Sequence, residues 1–158
     1  MTIFLTWLHV LAAMSWIGGM VFLSLVLVPA LRKPGLATQR GLLFPVVARQ
    51  FRLVGWSAIV VLLSTGPVLA LARGVDLGAP STWPAILRLK LTLVALLVGL
   101  TALHDLVIGP RVSAIVRKPE ADRTPADGRL ARWAPILARG ALLLGLAVLY
   151  CAVHFARV

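Results

Sequence analysis

A chain of 158 residues that is 60% hydrophobic, with a mean hydropathy of +0.97, would cover any water-soluble globule in apolar side chains. That excludes an ordinary soluble domain and implies a protein folded in lipid. The formal charge of +11 would suit nucleic acid if it were clustered on one polar face, but its placement along the chain, set out below, points to membrane topology instead.

A span needs about 20 mostly apolar residues. The first candidate, helix 1 at about 3–31, carries no charge. It lacks the basic start and the small-residue cleavage site of a secretory signal, so it is read as a retained helix. Within it His9, Ala13, Trp16 and Met20 recur at i, i+4, i+7 and i+11 and share one face. Gly18 and Gly19 allow a neighbouring helix to come close. The connection that follows, 33–51, is half apolar. It fits either a short helix at the headgroup level or an early start to helix 2. Helix 2 is predicted at about 53–73, with Ser64, Thr65, Gly66 and Pro67 together near its outer end. Pro67 removes a backbone donor and should kink the helix, with the neighbouring hydroxyls placed to satisfy freed carbonyls.

The loop 73–84 is rich in Gly and Pro and puts Trp83 at an interface, as Trp7, Trp56 and Trp133 are near others; Trp16 alone falls near mid-membrane. Helix 3, about 86–110, aligns Lys90, Val94, Leu97, Thr101 and His104 on one face. Lys90 and His104 are then about 21 Å apart at 1.5 Å per residue. The charged, Pro-containing stretch 116–133 reads as an exposed loop. Helix 4, about 133–156, ends with Cys151 and His154 at i, i+3. Lipid requires internal satisfaction of backbone groups, and runs this long suit helices rather than barrel strands. The predicted fold is therefore an all-α integral membrane four-helix bundle, one domain over 1–158, with no clear internal repeat.

The connection between helices 1 and 2 holds Arg32, Lys33, Arg40, Arg49 and Arg52 without an acid. That between helices 3 and 4 holds Arg111, Arg117, Lys118, Arg123, Arg129 and Arg132 against Glu120, Asp122 and Asp127. The opposite side has only Arg73, Arg88, Lys90 and Arg157, with Asp76. This asymmetry predicts a multi-pass protein of the cell (inner) membrane, both termini on the outer, periplasmic side and both basic loops in the cytoplasm. Anionic lipid headgroups, not nucleic acid, are the partners expected of those loops.

Ionisable groups inside a bilayer are costly and mark functional interiors. With the predicted topology His9, Lys90, Cys151 and His154 lie in the outer leaflet, whereas His104 and Asp105 lie near the cytoplasmic surface, as a pair fixing the inner end of helix 3. Two centres fit the outer set. One is haem b, with His9 as an axial ligand, His154 or Lys90 opposite it or on a propionate, and Trp16 lining the macrocycle. The other is copper, for which His9, Met14 or Met20, Cys151 and His154 are suitable donors. Structural roles are the alternative: a snorkelling Lys90, methionines that only pack, and a subunit of a larger membrane complex or homo-oligomer. The single cysteine excludes an intrachain disulfide. No phosphate-binding loop, Ser/His/Asp array, CxxC pair or HExxH motif is present.

The segments WLHVLAAMSWIGGMVF (7–22), ARQFRLVGW (48–56), STGPVLAL (64–71), LRLKLTLVALLVGLTALHD (87–105) and GPR (109–111) together resemble the short, stand-alone members of the bacterial copper-resistance protein D (CopD) family, over about residues 5–155. The resemblance implies copper handling at the membrane. The same pattern is similar to that of HemJ, the haem-containing protoporphyrinogen oxidases, in which a helix-1 histidine before a W-x-x-G segment and a helix-3 lysine are essential. His9, Trp16 to Gly19, and Lys90 match it. The proline-arginine pair after helix 1 is not matched, since Pro29 is followed by Ala30 and Leu31. This second resemblance implies a haem pocket and electron or hydrogen transfer.

Overall fold

The computed structural model describes residues 2–33, 35–117 and 119–157. Lys118, one of the charges of the second basic connection, lies outside them, as do the side chains of Arg40, Arg117 and Glu120. Among the described residues there is no strand, and four helices are long and apolar enough to cross a membrane. Helix α1 runs as Thr2–Phe22, a π-helical turn Leu23–Leu27, and Val28–Ala30. Helix α2 is Ala37–Leu71. Helix α3 runs as Ala85–Ala102, a π-helical turn Leu103–Ile108, and Gly109–Arg117. Helix α4 is Pro125–Arg157. The all-α membrane class follows directly from composition: with no water to bond to, each long apolar run closes its own backbone bonds.

The helices outrun the apolar stretches that announce them. Helix α2 begins at Ala37 rather than near residue 53, so the half-apolar connection is its own first turns. Its 35 residues would extend about 52 Å at 1.5 Å per residue, well beyond an apolar core about 30 Å thick. Pro45 is carried inside it. This early start moves Trp56 away from an interface to the middle of the span Gly41–Leu71.

The chain forms two compact units, Met1–Pro84 and Ala85–Val158. In the first, α1 packs on α2; in the second, α3 packs on α4. Unit 1 is zipped by three steps along the hairpin. Phe51 lies over Gly19, Trp16 over Gly55, and His9 beside Gly66. Trp16, 4% exposed, is the large residue of this seam, joined by Ala12, Ile17, Ala58 and Ile59. The predicted α1 face is thus observed, turned slightly toward Ala12 and Ile17. Of the two glycines only Gly19 is a close approach: a Cβ there would strike the Phe51 ring, whereas one at Gly18 meets nothing within 4 Å. In unit 2, Leu97 is fully buried, with Leu87, Ala141, Leu142 and Cys151 around the same core. Leu42, Val60, Leu89 and Leu143 are among the many large apolar side chains turned outward, as lipid requires.

The units also share a local design. In each first helix the π turn closes with an N–H five residues on, Val28 to Leu23 O and Gly109 to His104 O, and a proline comes next, Pro29 and Pro110. His9 lies 20 residues before Pro29 and Lys90 20 residues before Pro110. Trp16 and Leu97, buried in their respective units, both lie 13 residues before their prolines. Direct sequence comparison hides this repeat because few other positions agree, among them Gly18 with Gly99, Leu25 with Leu106 and Val26 with Val107.

Gly19→Ala should destabilise the protein by about 1–3 kcal/mol, the usual effect of overpacking, while Gly18→Ala leaves stability unchanged or raises it. Thermal unfolding in detergent measures both. Combining Gly19→Ala with Phe51→Leu should recover part of the loss.

Candidate functional site

Helix α1 brings His9 to the α1–α2 seam about two turns from its start, half-buried. Its Nδ1 is 2.7 Å from the Thr65 Oγ1. Thr65 is 6% exposed, and its hydroxyl donates to the carbonyl of Val61 at 2.7 Å. The ring lies beside the next residue: a Cβ on Gly66 would stand 3.7 Å from His9 Cε1, an ordinary contact. The Nδ1–Cε1 edge of the imidazole therefore faces α2. Interhelical hydrogen bonds of this kind contribute only about 0.6 kcal/mol on average to membrane-protein stability, so orientation of the ring is the larger consequence.

Pro67 does not draw on these hydroxyls as the sequence suggests. The carbonyl it leaves without an amide partner is that of Leu63, four residues back. Ser64 and Thr65 instead donate to Val60 and Val61, at 2.8 and 2.7 Å. Threonine 65 is accordingly available to His9 and is not a patch for the kink.

Trp16 packs into the same seam, its Cδ1 3.5 Å from the place of a Gly55 Cβ. Nearby in sequence, Trp56 Nε1 is buried with no acceptor among the described residues. An indole N–H left so costs about 1–3 kcal/mol, and any acceptor that enters the seam would recover it. Met20 is half-buried and Met14 is 67% exposed. A shallow, open depression lined by Thr2, Ile3, Thr6, Trp7 and Val10 runs along the start of α1; His9 does not line it.

Lys90, His104, Asp105, Cys151 and His154 all belong to unit 2. Lys90 is half-buried on α3, on the face that carries Leu97. His104 Nδ1 and Asp105 Oδ1 are 2.9 Å apart inside the π turn of α3, the pair expected at that end of the helix. On α4, Cys151 is 3% exposed and turned into the packed face, whereas His154 is exposed. Within either unit, no three His, Cys, Asp or Glu side chains among the described residues group as metal ligands. In unit 1 the imidazole of His9 is bonded to the Thr65 hydroxyl. An oriented imidazole of this kind would serve to hold haem iron, and copper only together with further donors.

Most of α2, the loop after it and unit 2 up to its last residues are where a known family matches: the family model of Copper resistance protein D covers residues 45–155.

The chain belongs to the copper resistance protein D family.

Comparison with curated proteins and with solved structures gives no match. The matched region of this copper resistance protein D member includes Thr65, Lys90, Cys151 and His154 but begins within α2, so α1 and His9 lie before it. His9 was legible as an ionisable residue inside a span. Thr65 was not, because a threonine in a helix carries no signal until its partner across the hairpin is known.

Burial of Cys151 makes it slow to alkylate. A maleimide added to the intact protein in mild detergent should label it at least tenfold more slowly than after unfolding in dodecyl sulfate. Equal rates would mean that the α4 core is open.

Proposed function

We propose that this copper-resistance-type membrane protein holds a redox-active metal centre, copper or haem b, at His9, and serves copper homeostasis or membrane electron transfer in the cell membrane. The observation that carries the reading is an imidazole inside a spanning helix, bonded across the hairpin to a buried hydroxyl. A histidine placed there only to pack would gain little, since an apolar residue of the same volume avoids the cost of a polar ring in lipid. Copper or haem iron bound to it would cycle between two oxidation states and pass one electron at a time. The chain's own contribution is to orient the ring through Thr65 and to exclude water with Trp16 and its apolar neighbours. Lys90, Cys151 and His154, the other residues the sequence singles out, belong to unit 2, and each is tested by its own substitution.

Oxidised and dithionite-reduced absorption spectra of the detergent-purified protein, with metal analysis of the same sample, provide the test. A Soret band that shifts on reduction, or stoichiometric copper, is expected in the wild type. Loss of at least nine-tenths of it is expected in His9→Ala. A preparation with neither haem nor copper that co-purifies with other subunits would replace this reading with a packing subunit of a larger complex.

The orientation proposed for the chain puts both termini outside and the two basic connections in the cytoplasm, in contact with anionic headgroups. Alkaline phosphatase fused after residue 157 or within 73–84 should be active, and inactive within 119–124. The reverse pattern would invert the topology and place His9 in the cytoplasmic leaflet.

A further inference from the structure

The hydroxyl of Thr65 has one proton and two lone pairs. Two groups approach it at 2.7 Å, the Val61 carbonyl oxygen and His9 Nδ1. A carbonyl only accepts, so the hydroxyl proton belongs to Val61, and Thr65 Oγ1 meets the imidazole as an acceptor. Nδ1 must then be the nitrogen that carries hydrogen. A neutral imidazole protonated at Nδ1 has its lone pair on Nε2.

We infer that Thr65 is the positioning residue of the His9 centre: it holds the ring in the Nδ1–H tautomer and makes Nε2 the coordinating nitrogen. The metal part of this inference rests on the function proposed above, and the tautomer does not. The run from His9 N–H to the Thr65 hydroxyl to the Val61 carbonyl is a chain in which each bond polarises the next. An imidazole that donates from its far nitrogen is a more basic ligand, and removing such a partner typically costs 10–100-fold in metal affinity. The neighbouring Ser64 is no substitute, since its hydroxyl is exposed and committed to Val60. The ring lies in the seam beside Gly66, and valine in place of Thr65 keeps the side-chain volume there, so the substitution removes the hydroxyl rather than the packing.

The test compares the full chain in mild detergent as wild type, Thr65→Val, Thr65→Ser and His9→Ala. Nitrogen-15 NMR of the metal-free, histidine-labelled wild type reads the tautomer, assigned by loss of the signals in His9→Ala. Hemin and Cu(I) are then titrated separately, and the midpoint potential of the form that binds is measured. Expected are a protonated Nδ1 and an unprotonated Nε2 in the wild type. Thr65→Val should weaken binding of the competent probe about 10–100-fold and raise its potential, because a less basic ligand stabilises the oxidised metal less. Thr65→Ser should restore both. A neutral His9 protonated at Nε2 in the wild type, or Thr65→Val with unchanged affinity and potential, would overturn the inference. Binding by His9→Ala equal to wild type, or by no form at all, sinks the proposed function instead and leaves the NMR result to decide the role of Thr65. Because the tautomer is read on the wild type, a Thr65→Val chain that fails to fold does not remove the test.

Discussion

Every feature of this protein depends on the exclusion of water from the backbone. In lipid an unpaired amide or carbonyl costs several kcal/mol, so the chain has little choice but long helices. That same medium removes the ordinary hydrophobic drive between helices, because a lipid tail is as apolar as a leucine. What brings α1 to α2 is therefore specific: the absence of a side chain at Gly19, whose place the Phe51 ring takes, the packing of Trp16 beside Gly55, and a polar bond between His9 and Thr65. The packing is sparse, and each of these contacts accordingly matters to the register of the hairpin.

The helical class and the number of spans were legible because they depend on apolar length alone. Helix ends were not. The sequence placed the first turn between 32 and 52, where the charges are, but Arg49 and Arg52 are carried on a continuing helix that has already begun at Ala37. That displacement hid Thr65. With a turn centred near residue 42, the residue opposite His9 would fall in the outer loop near 75. The observed pairs Gly19–Phe51, Trp16–Gly55 and His9–Thr65 require a centre near 36. The face of α3 that bears Lys90, Leu97 and His104 was read correctly, since periodicity within one helix does not depend on where its neighbour begins.

The candidate residues divide in the same way. His9 was marked by chemistry, as an imidazole where lipid should be, and Cys151 by its type, and both are turned into packed faces. His154 and Met14 are exposed, each on a side of its helix turned away from the packed face. Family membership rests on α2 to α4, while the residue on which the proposed chemistry turns is in α1. The family match and the imidazole of His9 thus lie in different parts of the chain, joined where Thr65 of α2 meets the ring.

The π turns have a consequence for how such a helix tolerates change. Each fits an extra residue into the spiral, so side chains beyond it are rotated by about 100° relative to an unbroken α-helix. In α1 the half that carries His9 and Trp16 is therefore clocked independently of the half that carries Val28 and Ala30, and Pro29 keeps the joint open by withholding an amide. Deleting one residue between Leu23 and Leu27 would let the spiral close into plain α-helix, and the residues beyond it would face as they do now, with the imidazole left where it is. The joint acts as an expansion slot, where the helix can gain or lose a residue while both of its halves keep their facing.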